Sequence, residues 1–214
     1  MKYVHAYKGI KLLFWAQILL IIVALTSIVS AAIGIIADPE TIAQDPEKLF
    51  DGPVGIVLLI ALVFVFIAIV IQFIGYVKGA LDDIWFLIAL FCIVGGAVIS
   101  LLTYFNVIKE NVELFKGLSS FLDELTTIFA ICAIISLAKK VNNPDTGSFA
   151  NKLLWIIVIM TAASFILAVV TVVAKNDLSN SIISITISVL SIVSYIMYLV
   201  ALKKAEHMLE FTRR

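Results

Sequence analysis

The chain has 214 residues, 63% of them hydrophobic, and its 15 Lys and Arg balance 15 Asp and Glu to a formal net charge of zero. Charged residues make up only 14%, against about a quarter in an ordinary soluble domain, and the mean hydropathy is +1.15. That balance argues against a soluble domain, and no basic stretch is long enough to act as a nucleic-acid arm, so nucleic acid is not an expected partner.

The apolar residues fall in blocks of about 20, the length that crosses ~30 Å of hydrocarbon. They predict six membrane helices near 12–36, 54–77, 84–105, 121–138, 153–174 and 181–202. The first block follows Lys2, Lys8 and Lys11 and contains Ser30, Ala31 and Ala32, which imitates a signal peptide. Its apolar run continues to Ala37, past the about 7–15 residues of a cleavable core, so it reads as a retained helix. The segment after it, DPETIAQDPEKLFDGP, repeats Asp-Pro-Glu and carries five carboxylates. Asp before Pro begins a helical turn well. The spacing lacks the alternating oxygen ligands of an EF-hand, so a solvated acidic surface is expected there rather than a calcium site.

The fourth span is the shortest, begins beside Asp123 and Glu124, and follows an amphipathic stretch from Lys109 to Ser119. That stretch belongs either along a membrane interface or on the fourth helix itself. After it, KKVNNPDTGSFANK reads as a connector whose chain reversal comes from Pro144 and Gly147. All four prolines lie outside the six runs, so no span requires a proline kink.

Eleven of the 15 Lys and Arg lie at the two termini and in the second and fourth loops. By the positive-inside rule, both termini are expected in the cytoplasm and the chain in a plasma membrane. The three tryptophans, Trp15, Trp85 and Trp155, stand 70 residues apart, each near the start of an apolar run. This predicts an all-α integral membrane protein. Its six helices form one membrane domain of three parallel two-helix repeats, about 1–76, 77–146 and 147–214. The tryptophans are then interface anchors at one depth. Three such repeats share the topology of the mitochondrial carriers. Their Pro-x-Asp/Glu-x-x-Lys/Arg signature is absent after every odd helix, so the chain does not belong with them.

The candidate polar contacts inside the spans are few. Gln17 and Gln72 stand at one depth in the first hairpin and are expected to hydrogen-bond to each other. Ser184, Ser188 and Ser191 lie on one face of the sixth helix, where small residues permit close helix approach or line a passage. Gly95 and Gly96 permit close approach or a hinge in the third span. Cys92 and Cys132 read as buried free thiols. No Walker A, GxSxG or HExxH motif occurs, and GLSSF has no histidine in any span to activate its serine. No cofactor or metal is therefore expected, and no enzymatic activity. The expected function is a scaffold or accessory subunit that binds a membrane-protein partner, a second copy or lipid. The alternative is a small-solute or lipid-like transporter without proton coupling, because no titratable residue falls in the middle of a span.

Overall fold

The computed structural model describes residues 3–37, 52–105, 112–174 and 177–211, with the side chains at 31, 34–37, 52–53, 113–114, 116 and 164–191 left out of the description. These residues form six helices: α1 Val4–Ala37, α2 Gly52–Ala80, α3 Ile84–Tyr104, α4 Val112–Lys140, α5 Pro144–Ala174 and α6 Asp177–Phe211. Among the described residues, five helices (α1 to α5) hold segments of 20 to 27 residues that are long and apolar enough to cross a membrane.

The helices outrun their apolar cores. α1 starts at Val4 rather than near Leu12, and α6 continues through Lys203 and Lys204 to Phe211. Lys, Glu, Ala, Met and Leu are good helix formers, and neither Pro nor Gly interrupts AEHMLEF, so the backbone has no reason to stop where hydropathy falls. The amphipathic stretch before the fourth span resolves the same way. From Val112 it forms the first turns of α4.

Two short turns join consecutive helices, and each ends on an Asx cap. At the start of α3, Asp83 has extended backbone (φ −148°, ψ 129°) and its Oδ1 accepts the Trp85 N–H at 3.0 Å, satisfying one of the free amides of the first turn. At the end of α4, Asn142 takes φ 58°. Its N–H donates to the Lys139 carbonyl at 3.2 Å, and the Asn143 N–H reaches back to the Ala138 carbonyl at 2.9 Å. These two bonds make a Schellman stop, with Asn in the left-handed position that Gly usually fills. Asn143 Oδ1 then accepts the Thr146 N–H at 3.0 Å and caps α5. The reversal is thus made by the two asparagines, which corrects the sequence reading. Pro144 is the first residue of α5 and Gly147 lies inside its first turn, where proline's missing N–H costs nothing.

The chain divides into two compact units, residues 1–11 with 76–214, and residues 12–75. In the first, α4 packs against α3, α5 and α6. It buries Ala130, Ile131, Ala133, Ile134, Leu137 and Ala138, an Ala-rich surface that lets neighbouring backbones approach. At the junction of α2 and α3, a Cβ on Gly79 would stand 2.6 Å from the Phe86 ring. Phe86 is fully buried and its ring centroid lies 6.3 Å from that of Tyr76, so only glycine fits at 79.

In the second unit, Ala61, Ala68 and Gly75 are buried seven residues apart along one face of α2. Leu59, Leu62, Phe66 and Ile69 lie exposed along another. α1 and α2 face each other across an apolar groove of about 260 Å³ lined in part by Leu19, Val23, Ala61 and Phe64.

Candidate functional site

The densest polar arrangement among the described residues is at the turn end of the first unit. Asp83 is almost wholly buried, its side chain 1% exposed. Its Oδ2 accepts from Ser136 Oγ at 2.6 Å and from Lys140 Nζ at 2.7 Å, while Oδ1 caps α3. One carboxylate therefore ties the start of α3 to the last two turns of α4. Three charge-assisted or capping bonds offset its desolvation, and Lys140 keeps 39% of its side chain exposed, so this is a half-wet ion pair rather than a fully desolvated one.

The adjacent Asp82 acts on a third helix. Its Oδ2 accepts the Ala6 N–H in the first turn of α1 at 2.7 Å, placing a negative charge on the positive end of that helix. Lys140 also donates to the Asp82 carbonyl at 3.3 Å and stands 5.9 Å from the Tyr3 ring centroid. The pair Asp82–Asp83 thus holds α1, α3 and α4 together at one end. Neither residue was singled out from the sequence. The available signal was an Asp immediately before Ile84-Trp85-Phe86, a helix-start pattern.

At the same end, the C-terminal turns of α6 bury Glu206 and pair it with Lys203 at 2.8 Å. That hydrogen bond raises the Lys203 pKa above its ordinary value. Lys204 Nζ lies 4.9 Å from the Phe149 ring centroid of α5. Between α4 and α5, an open groove of about 580 Å³ is lined by Lys139, Asn142, Ser148 and Asn151 over Ile135 and Ala138.

A second polar cluster lies along the α3–α4 contact. Ser119 Oγ donates to the Gly96 carbonyl at 3.1 Å and shares a 2.7 Å hydrogen bond with Ser100 Oγ. One turn on, Asp123 Oδ1 lies 3.3 Å from where a Cβ on Gly96 would be. Gly96 is two turns from the end of α3 at Tyr104, about 12 Å of helix rise. Asp123 is exposed, and it lies six residues inside the apolar segment Gly117–Lys140 of α4. α4 begins at Val112, so Asp123 is about three turns inside the helix rather than at its mouth.

Gln17 is buried and Gln72 half-buried, both within the second unit. Ser184, Ser188 and Ser191 lie on α6, but their side chains fall outside the described residues, as does nearly all of the acidic loop. Trp15 and Trp155 are exposed about three turns into α1 and α5. Trp85 is in the first turn of α3, its ring stacked at 5.9 Å on Phe129. Their 70-residue spacing is therefore not a constant offset from the helix starts. Cys92 and Cys132 are free and only half-buried. Among the described residues, no three His, Cys, Asp or Glu side chains gather at metal-binding distance.

Compared with protein-family models, curated proteins and solved structures, the chain matches no family model, no curated protein and no solved structure.

Proposed function

We propose that the chain is a non-enzymatic multi-pass protein of the plasma membrane, a scaffold or accessory subunit that acts through helix-face contacts with a partner protein, a second copy or lipid. The observation that carries this reading is the apolar face of α2. Leu59, Leu62 and Phe66 are each at least 66% exposed, where a water-soluble monomer would keep such a continuous stripe covered. In this reading both termini are cytoplasmic, on the 11-to-4 basic asymmetry of the sequence. Trp15 and Trp155 anchor α1 and α5 at an interface. The three-repeat organisation belongs to the same proposal. It rests on the 70-residue tryptophan spacing of the sequence, whereas the Asx-capped turns at Asp83 and Asn143 repeat at 60 residues.

A solute or lipid-like transporter is the second reading, favoured by the Ser100–Ser119–Asp123 cluster on the α3–α4 contact. Two experiments separate them. Purification in lipid nanodiscs, with mass spectrometry of what co-purifies, should yield a partner or lipid in fixed stoichiometry that Phe66→Ala with Leu62→Ala releases. Proteoliposomes should show no solute flux above that of empty vesicles. Flux without a retained partner would reverse the ranking.

A further inference from the structure

We propose that the groove between α4 and α5 holds the headgroup of an anionic phospholipid, with its phosphate at Lys139 and its acyl chains along the apolar face of α5. The inference deepens the scaffold reading by naming a lipid ligand, and it rests on that reading's premise that α4 and α5 span a membrane.

The turn sets the position of the groove. The candidate span of α4 ends at Lys140 and that of α5 begins at Pro144, so only residues 141–143 separate them. Two spans joined by so short a turn emerge together at one membrane surface, and a groove beside the turn opens at the headgroup layer. The lining is graded along both helices. On α5, Ser148, Asn151, Trp155 and Ile159 share one face at steps of three, four and four. The first two line the groove, and the last two carry the face onward as exposed apolar surface. On the α4 side, Asn142 and Lys139 at the mouth give way to Ile135. A polar mouth that grades into an uncovered apolar face matches an amphiphile rather than a soluble anion.

Charge decides which headgroup fits. Lys139 is exposed and, among the described residues, forms no ion pair. The acids at this end are engaged elsewhere or stand outside the lining. Asp83 is held by Lys140, Asp82 by the Ala6 N–H and Glu206 by Lys203. Asp145 in the first turn of α5 and Glu210 near the end of α6 do not line the groove. The groove therefore offers an ammonium, amides and a hydroxyl with no carboxylate among them, a set that takes a phosphate through charge-assisted hydrogen bonds.

The test is native mass spectrometry of the full chain in detergent, titrated with phosphatidylglycerol or with phosphatidylcholine of the same acyl chains. Phosphatidylglycerol should bind about fivefold more tightly, the preference that one lysine provides toward an anionic lipid. Lys139→Gln should remove the preference and Lys139→Arg should keep it. Ser148→Leu with Asn151→Leu, which takes away donors and fills the groove, should weaken binding several-fold. Lys8→Gln, which removes an exposed lysine outside the groove, should leave the preference unchanged.

Equal binding of the two lipids, or an equal loss in Lys8→Gln and Lys139→Gln, would overturn the proposal. So would displacement of phosphatidylglycerol by an equal concentration of glycerol phosphate, which would assign the groove to a soluble anion. An Ile159→Cys variant without Cys92 and Cys132, probed in lipid vesicles with a water-soluble maleimide, tells the failures apart. If that thiol is shielded while the lipid preference is missing, only the headgroup site fails. If it reacts freely, the spanning premise for α5 fails with it.

Discussion

α2 and α4 are each 29 residues long, yet they stand in opposite relation to their surroundings. α2 is rich in large apolar side chains, and only 17% of its candidate span is buried. α4 is much less apolar, and 39% of its span is buried. In water the ranking would be reversed, because apolar residues would be driven inside. Here the large side chains of α2 (Leu59, Leu62 and Phe66) lie exposed, and small or hydroxyl residues of α4 (Ala130, Ala133, Ser119 and Thr126) are covered. That is the pattern expected when the solvent is hydrocarbon and helices associate by close backbone approach. On the proposed membrane reading, hydropathy reports where lipid would lie, and the least obvious span is the one that packs against three other helices.

Substitutions at the end of α4 should have the largest effect. Lys140→Met leaves the buried Asp83 carboxylate with Ser136 and a backbone amide as its remaining described partners. It should cost about 3 kcal/mol in reversible unfolding from bicelles, the low end for a buried pair, because Lys140 keeps 39% of its side chain exposed. Adding Asp83→Asn should recover part of that loss, because the uncompensated charge disappears. An equal loss in the double variant would mean that the ion pair is incidental.

Within the helix, Ala133→Leu forces a larger side chain into a fully buried position and should cost about 1–3 kcal/mol by overpacking. The counterpart on α2 is Leu62→Ala, where the side chain is 69% exposed. If that face meets only lipid, unfolding should change by less than about 0.5 kcal/mol. A cost as large as that of Ala133→Leu would show that α2 is covered by a partner or second copy, and would sharpen the proposed function.

The helices were legible because apolar runs of spanning length leave few alternatives, and α2 and α3 end close to where hydropathy falls. The helix ends were less legible. Nothing in an apolar run marks that α1 begins at Val4 or that α6 persists to Phe211, since helix propensity rather than hydropathy decides there. The connector between α4 and α5 was placed over 139–152, of which only 141–143 is turn, and its reversal was assigned to the wrong residues. Pro144 and Gly147 are strong turn signals, and Asn142 in the left-handed conformation outcompeted them by closing a Schellman stop. The Asp83–Lys140 pair was not legible at all. Its partners are 57 residues apart, and each looks like an ordinary loop charge until α3 and α4 are packed side by side. Asp123 was noticed, but its depth depends on where α4 begins, and the amphipathic stretch before it was compatible with two placements.

The most direct test of the membrane reading is sidedness, measured in intact cells with an impermeant thiol reagent on single-cysteine variants in a background lacking Cys92 and Cys132. One variant is Gln44→Cys, in the acidic loop beyond the described residues. The other is Ser148→Cys, at a position exposed on the first turns of α5. The Gln44→Cys variant should react in intact cells, and the Ser148→Cys variant only after the membrane is permeabilised. Reaction of the second variant but not the first would invert the orientation, and equal reaction of both without permeabilisation would contradict a chain that crosses the bilayer between them.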